Sequence, residues 1–209
     1  MPVDLAASAV VVAPALLGAV LSHDSPEGLV SLRITEVEAY LGTGEDPGSH
    51  AHRGRTPRNS VMFGRPGTLY TYFTYGMHTC ANVVCSPEGS ASAVLLRAGE
   101  VVAGEDLARN RRGEKVSARD LARGPARLVV ALGISMADNG ADLDHPPFHL
   151  ELPSVPASGY EETLRTGVSG PGGADPFRWR FALRDEPTVS PYKVHPSLRS
   201  VRADRGVQR

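Results

Sequence analysis

Glu36 and Glu38 stand two residues apart at the end of an apolar, alternating segment, and Tyr40 follows them. On an extended strand such residues share a face. Two carboxylates held together push one pKa upward, which suits one of them to acid or base work near neutral pH. The same doublet is also what a solvated strand end looks like. Between Asp46 and Glu88 there is no acidic residue, while Arg53, Arg55, Arg58, Arg65, His50, His52 and His78 all fall in that interval. Carboxylates beside a stretch of purely positive charge read as a catalytic base next to an anion-binding surface.

A second candidate is the run Tyr70-Thr71-Tyr72-Phe73-Thr74-Tyr75-Gly76-Met77. On a strand, Tyr70 and Tyr72 share one face while Phe73 and Tyr75 share the other. One face is core. The other offers a stacking surface for bases, and a Tyr beside a turn glycine can wedge a duplex open. Metal chemistry is weaker: His50-Ala51-His52, His78-Thr79-Cys80 and Cys85 supply nitrogen and sulfur, but no compact zinc spacing. Neither a metal nor a cofactor is expected.

These side chains need elements to hold them. Leu29 to Val37 alternates as a strand, and Thr68 to Ser86 reads as two strands around Gly76. Ala93 to Arg97 is a short strand, Phe177 to Leu183 a late one, and Gly167 to Gly173 a Gly-rich turn before it. Glu105 to Asn110 and Pro125 to Leu132 read as helices, the second opening on Pro after Gly124. Gly42 to Pro66 is a loop too long to be idle in a compact domain. The apolar opening from Ala6 to Leu21 has no basic residue before Arg33 and carries Pro14. It reads as a buried helix rather than a leader or a membrane span.

The chain of 209 residues is 41% hydrophobic, enough for one domain with a sizeable core. Two cysteines, Cys80 and Cys85, argue against a disulfide scaffold and for a reducing cytoplasm. A net charge of -1 hides segregation. A second basic block, Arg109, Arg111, Arg112, Lys115, Arg119, Arg123 and Arg127, contrasts with acids at Asp138, Asp142 and Asp144. Such segregation suits a polyanion touching one side, although charge alone favours an ordinary solvated surface. Lys115 and Lys193 are the only lysines among the 22 Lys and Arg residues, and the wealth of Arg, Ala and Gly suits a GC-rich bacterial genome.

Read in order, the motifs connect. They are Glu36-Val-Glu-Ala-Tyr-Leu-Gly42, His50, Arg55-Thr-Pro-Arg-Asn59, Met62-Phe63, Pro66-Gly-Thr-Leu-Tyr-Thr-Tyr72, Tyr75-Gly-Met77, Cys80-Ala-Asn82 and Val94-Leu-Leu-Arg-Ala98. This series strongly resembles the mammalian-type alkyladenine (3-methyladenine) DNA glycosylase family. The resemblance continues through Gly124-Pro-Ala-Arg-Leu128, Arg165-Thr-Gly-Val168 and Phe177-Arg-Trp-Arg-Phe181, so it covers nearly the whole chain.

The resemblance implies roles. Glu38 is the general base that activates water for attack on the sugar C1′. Tyr40 stacks on one face of an extruded base, with His50 and Tyr72 on the other. Spacing favours His50 over His52. Asn82 clashes with the exocyclic amine of guanine, and Tyr75 fills the gap left in the duplex. Arg97, with the backbone of Val168, helps place the water. Arg55, Thr56, Met62 and Met77 approach the DNA strands. His78 stands beside the wedge without a fixed role.

The implied reaction is monofunctional hydrolysis of alkylated or deaminated purines, of the 3-methyladenine or hypoxanthine type, from double-stranded DNA. Extruding a base costs a few kcal/mol, roughly. A cationic lesion is drawn to π faces and is a ready leaving group. Neither lysine lies in the matched pocket motifs, so no Schiff base and no strand cleavage are expected. The chain begins close to its first helix, without a long basic extension, which predicts modest non-specific affinity and a shallow salt slope. Two rival readings are a non-catalytic damaged-DNA or single-strand binder and a metal-dependent hydrolase built on His50, His52 and His78.

The expected fold is therefore α+β. It is a single compact domain over residues 1–209, with a curved, mainly antiparallel sheet surrounded by helices and long loops. A monomer without membrane contact suffices for the task. The tail from about residue 196, with Arg199, Arg202, Arg205 and Arg209, is as compatible with disorder as with DNA contact.

Overall fold

The computed structural model describes residues 3–74 and 76–196. Tyr75 and nearly all of the basic tail, from residue 197 onward, therefore lie outside the described residues.

Strands and helices follow the order α1 (Ala9–Ala15), β1 (Val20–Ser25), β2 (Gly28–Tyr40), β3 (Leu69–Thr74), β4 (His78–Val84), β5 (Ala93–Ala103), α2 (Glu105–Arg112), α3 (Pro125–Leu132), β6 (Phe148–Glu151), β7 (Tyr160–Thr163) and β8 (Arg180–Leu183). All eight strands join one antiparallel, curled sheet with the path β3-β4-β5-β2-β1-β6, and β8 pairs with both β2 and β7. The α+β expectation holds, since strands and helices are interspersed without parallel crossovers.

β2 organises the molecule. Its first half pairs with β1, from Gly28 opposite Ser25 to Arg33 opposite Val20. On the same edge its second half changes partner, placing Glu36 opposite Ala182 and Glu38 opposite Arg180 of β8. On the opposite edge, β5 pairs along the strand with register shifts on both sides of Glu36. A bulge of this kind bends a strand and re-aims its side chains.

The sequence suggested a strand ending at Val37. It runs to Tyr40 because Thr35, Glu36 and Glu38 are fully buried rather than frayed into solvent. Polar residues that looked like a terminus are interior residues with dedicated partners.

The apolar N-terminal stretch is divided. Pro14 lies within α1, Gly18 follows with φ +85°, and Val20 already begins β1. Proline limits helix continuation and a left-handed glycine ends the helical run, so the expected helix to Leu21 stops early. α3 keeps its expected bounds, with Pro125 in the first turn and Gly133 in a left-handed cap. The core joins Leu16 and Leu17, just after α1, with Leu32, Ile34, Leu96, Leu128 and Phe181 from β2, β5, α3 and β8.

The 42–66 loop is fixed by two buried polar side chains. Asn59 donates to the carbonyls of His50 and Gly54 and accepts from the backbone N–H of Thr56. Asp46 accepts from the backbone of Leu41 and Gly48. Without these bonds the loop would bury unpaired backbone groups, which fold poorly. Much of the second basic block is likewise structural. Arg109, Arg111, Arg112 and Arg123 bond backbone carbonyls.

Candidate active site

The site begins with the two glutamates. Glu38 is fully buried, and its Oε1 accepts the backbone N–H of Thr166 at 2.6 Å while Oε2 accepts the Tyr40 hydroxyl at 2.8 Å. Arg97 on β5 places Nη1 3.3 Å from the same Oε2. Glu36 is equally buried but differently occupied. Its Oε1 accepts Nε of Arg97 and Nε of Arg180, each at 2.8 Å, and its Oε2 accepts the Ser190 N–H at 2.7 Å.

Burial pushes the Glu36 carboxyl upward, but Arg97, Arg180 and these hydrogen bonds outweigh it, so its pKa lies below the ordinary value. Arg97 is itself desolvated, yet the two glutamates hold it firmly charged. The doublet is therefore no shared-proton pair. One arginine bridges two acids that have separate hydrogen-bonding environments.

Tyr40 forms the next layer. The guanidinium of Arg165 lies 4.4 Å from its ring centroid, which leaves the other face of the ring for a ligand. Arg165 is buried and makes paired bonds of 2.6 and 2.7 Å to Asp46, besides bonds to the carbonyls of Ala39 and Gly172. It thereby ties β2, the 42–66 loop and the 164–174 segment under Tyr40. Burial, followed by Glu38, raises the Tyr40 pKa, which keeps the phenol protonated as a donor.

Tyr40, Gly48, His50, Met62, Tyr70, Tyr72 and Asn82 line a cavity of about 90 Å³. The His50 ring meets Tyr72 edge to face, with centroids 4.5 Å apart and planes at 84°. His50 Nδ1 lies 3.2 Å from the Tyr70 hydroxyl. Burial, and then Arg58, lowers the His50 pKa, so the imidazole is neutral at pH 7. Burial raises the Tyr70 pKa to about 12. Asn82 donates its amide N–H to the Tyr70 carbonyl at 3.0 Å, which fixes the orientation of the side chain.

Tyr40, Gly48, His50 and Tyr72 also border a wider cleft of about 390 Å³, together with His78, Arg97, Thr166 and Val168. Glu38 lines neither space, whereas its partners Tyr40, Arg97 and Thr166 do. A carboxylate at the back of an aromatic cavity, with three donors and acceptor capacity to spare, can hold and polarise one small hydroxylic molecule.

The family model for methylpurine-DNA glycosylase matches residues 4–187. The chain belongs to that family. It is therefore a DNA glycosylase, a hydrolase acting on N-glycosyl bonds. A Leifsonia xyli protein named "Putative 3-methyladenine DNA glycosylase" is 65% identical over 195 residues, covering 91% of each chain. A like-named Streptomyces avermitilis protein is 54% identical over 192 residues, covering 90% of this chain and 89% of its own. One from Corynebacterium glutamicum is 45% identical over 196 residues, covering 94% and 89%.

In this glycosylase the chain brings Tyr40, His50, Tyr72 and Asn82 around the cavity, sets Arg97 on Glu38, and places Val168 on the cleft. Met62, expected near the DNA strands, is 2% exposed and forms a cavity wall. Arg55 packs over Phe63 and Thr56 borders a different groove with His50 and His52, and neither lines the cavity. Met77 is 67% exposed, immediately before β4. Lys193, in no pocket motif, borders a neighbouring groove with Arg97 and Thr166.

The sequence motifs contain Asn59, Arg165 and Arg180 but gave none of them a role, and Asp46 was named only as the edge of an interval. Asp46 carried one usable signal as the last acid before the acid-free interval. The arginines act through residues more than a hundred positions away, which no local pattern marks. Among the described residues, no helix is long and apolar enough to cross a membrane.

Proposed function

We propose that the protein excises alkylated or deaminated purines, of the 3-methyladenine or hypoxanthine type, from duplex DNA and leaves an intact abasic site. The observation that carries this reading is the buried Glu38 carboxylate, bonded to Tyr40, Arg97 and Thr166 behind an aromatic cavity. The damaged base leaves the stack and enters between Tyr40 on one side and His50 with Tyr72 on the other. Asn82, held by Tyr70, stands against the added exocyclic amine of guanine.

Water bound at Glu38 attacks C1′ as the bond from C1′ to the purine nitrogen breaks. The bonding pair leaves with the purine, and the water proton passes to Glu38. A cationic 3-methylpurine leaves without further help. A neutral hypoxanthine needs a proton or a hydrogen bond at the departing ring. Neutral His50 and the phenols of Tyr70 and Tyr72 give an uncharged wall that accepts either lesion.

The deciding experiment is base release from duplex DNA carrying hypoxanthine or 3-methyladenine, with Glu38→Gln beside wild type. Loss of a positioned general base is expected to slow the variant by about 10² to 10⁴-fold. Wild type that releases neither base would overturn the reading. Activity is expected to survive EDTA. Strand cleavage with a borohydride-trapped adduct, to which Lys193 stands nearest, would overturn the monofunctional part.

A further inference from the structure

Glu36 is a buried acid bonded to Arg97 that this reaction leaves without a task. We infer that Glu36 is a positioning residue that acts as the counter-charge to Arg97 and so sets the basicity of Glu38. This inference rests on the proposed role of Glu38 as the base.

The geometry separates the duties of Arg97. Its Nε makes the short contact, 2.8 Å to Glu36, and its Nη1 the longer one, 3.3 Å to Glu38. An arginine with no other partner would form a forked pair with the catalytic carboxylate, and would make it a poor base. Here Glu36 takes the stronger share. Glu36 is in turn saturated by Arg180 at 2.8 Å and Ser190 N–H at 2.7 Å, so it offers nothing to a substrate.

Glu36 and Glu38 on β2 face Arg97 from β5 and Arg180 from β8. Arg180 also reaches Glu161 on β7 at 3.6 Å. Arg165 faces Glu38 from the 164–174 segment, but Asp46 neutralises it in a fully buried pair. The remaining titratable groups facing Glu38 are neutral: Tyr40 on β2, Tyr72 on β3 and Cys80 on β4, whose pKa values burial raises.

Removing the Glu36 charge leaves two guanidiniums against Glu38 alone. The carboxylate is then over-stabilised and weaker as a base. Removing Arg180 does the reverse, because an under-compensated Glu36 draws Arg97 more strongly and adds its own negative charge to the field at Glu38.

The test is the pH dependence of single-turnover hypoxanthine release by wild type, Glu36→Gln and Arg180→Gln, each shown to be folded by thermal unfolding. The acidic limb of Glu36→Gln is expected at lower pH than in wild type, with a reduced plateau. The Arg180→Gln limb is expected to move upward. A Glu36→Gln limb that stays in place or rises would show that Glu36 merely braces the strand, and would overturn the inference. An Arg180→Gln limb that stays or falls does the same, and it decides the matter alone if Glu36→Gln does not fold. Failure of the underlying reading looks different, because wild type itself would then release no base or Glu38→Gln would keep full turnover.

Discussion

The hydroxyl of Tyr40 donates a 2.8 Å hydrogen bond to Oε2 of Glu38, two residues back on the same strand. The aromatic wall of the cavity and the carboxylate behind it are therefore one unit. A shift of the ring moves a donor of Glu38, and a change in the charge of that carboxyl group is felt by the phenol.

Tyr40→Phe separates these duties, because it keeps the ring and removes the donor. A hydrogen bond to a charged group contributes about 1.5–3 kcal/mol, and about 1.36 kcal/mol is a factor of ten in rate. We expect lesion binding near the wild-type level and a single-turnover rate about 10- to 100-fold lower. Fluorescence anisotropy and rapid-quench base release check the two halves, and a rate within about twofold of wild type would make this bond idle.

Asp46 and Arg165 are both fully buried, at 2.6 Å separation. Removing one partner strands the other charge, at a cost of about 3–5 kcal/mol. Asp46→Ala should therefore lower the urea midpoint strongly. Asp46→Ala with Arg165→Met should be more stable than the two losses added together. Strict additivity in urea unfolding would show that the pair is not coupled.

His50 gives a pH signature. Burial, followed by Arg58, holds its folded-state pKa below 6.5. As pH falls through about 6.5 the unfolded chain takes up a proton that the folded chain resists, so stability declines. The decline ends only below the lowered folded-state value. His50→Gln should flatten this part of the curve, and urea midpoints measured from pH 7.5 to about 5.5 read it directly. An unchanged slope would mean that His50 is readily charged in the folded protein.

Gly48 is needed for closeness rather than for an unusual backbone angle. A Cβ there would stand 2.5 Å from Nη2 of Arg165 and 2.9 Å from Cγ1 of Val168. Gly48→Ala must displace the arginine that supports Tyr40 or the residue that lines the cleft. Overpacking of this kind costs about 1–3 kcal/mol, and we expect weaker lesion binding as well. Crystallography of the variant should show Arg165 or Val168 displaced.

What could be read from the sequence depended on how local the cause was. β3 and β4 were legible because Tyr, Thr and Val alternate about a glycine turn, and α3 because Gly124 and Pro125 mark its start. Tyr40, His50, Tyr72 and Asn82 were found by motif, and they do converge on one cavity. The end of β2 was misjudged because Glu36 and Glu38 look solvated until Arg97, Arg180 and Thr166 are placed beside them. β6 and β7, at four residues each, are too short to carry a period. The partnership of Asp46 with Arg165 spans 119 positions, and it is a property of the folded chain only.

The change of partner along β2 has a consequence for the growing chain. Glu38 lies in the first fifth of the sequence, but Thr166, Arg180 and Ser190, which complete the surroundings of the two glutamates, are made near its end. Synthesis proceeds from the N-terminus, and early segments begin to compact first. A nascent chain can thus hold most of its sheet while Glu36 and Glu38 still lack these partners. The last strand to arrive is therefore the one that brings Arg180 to Glu36.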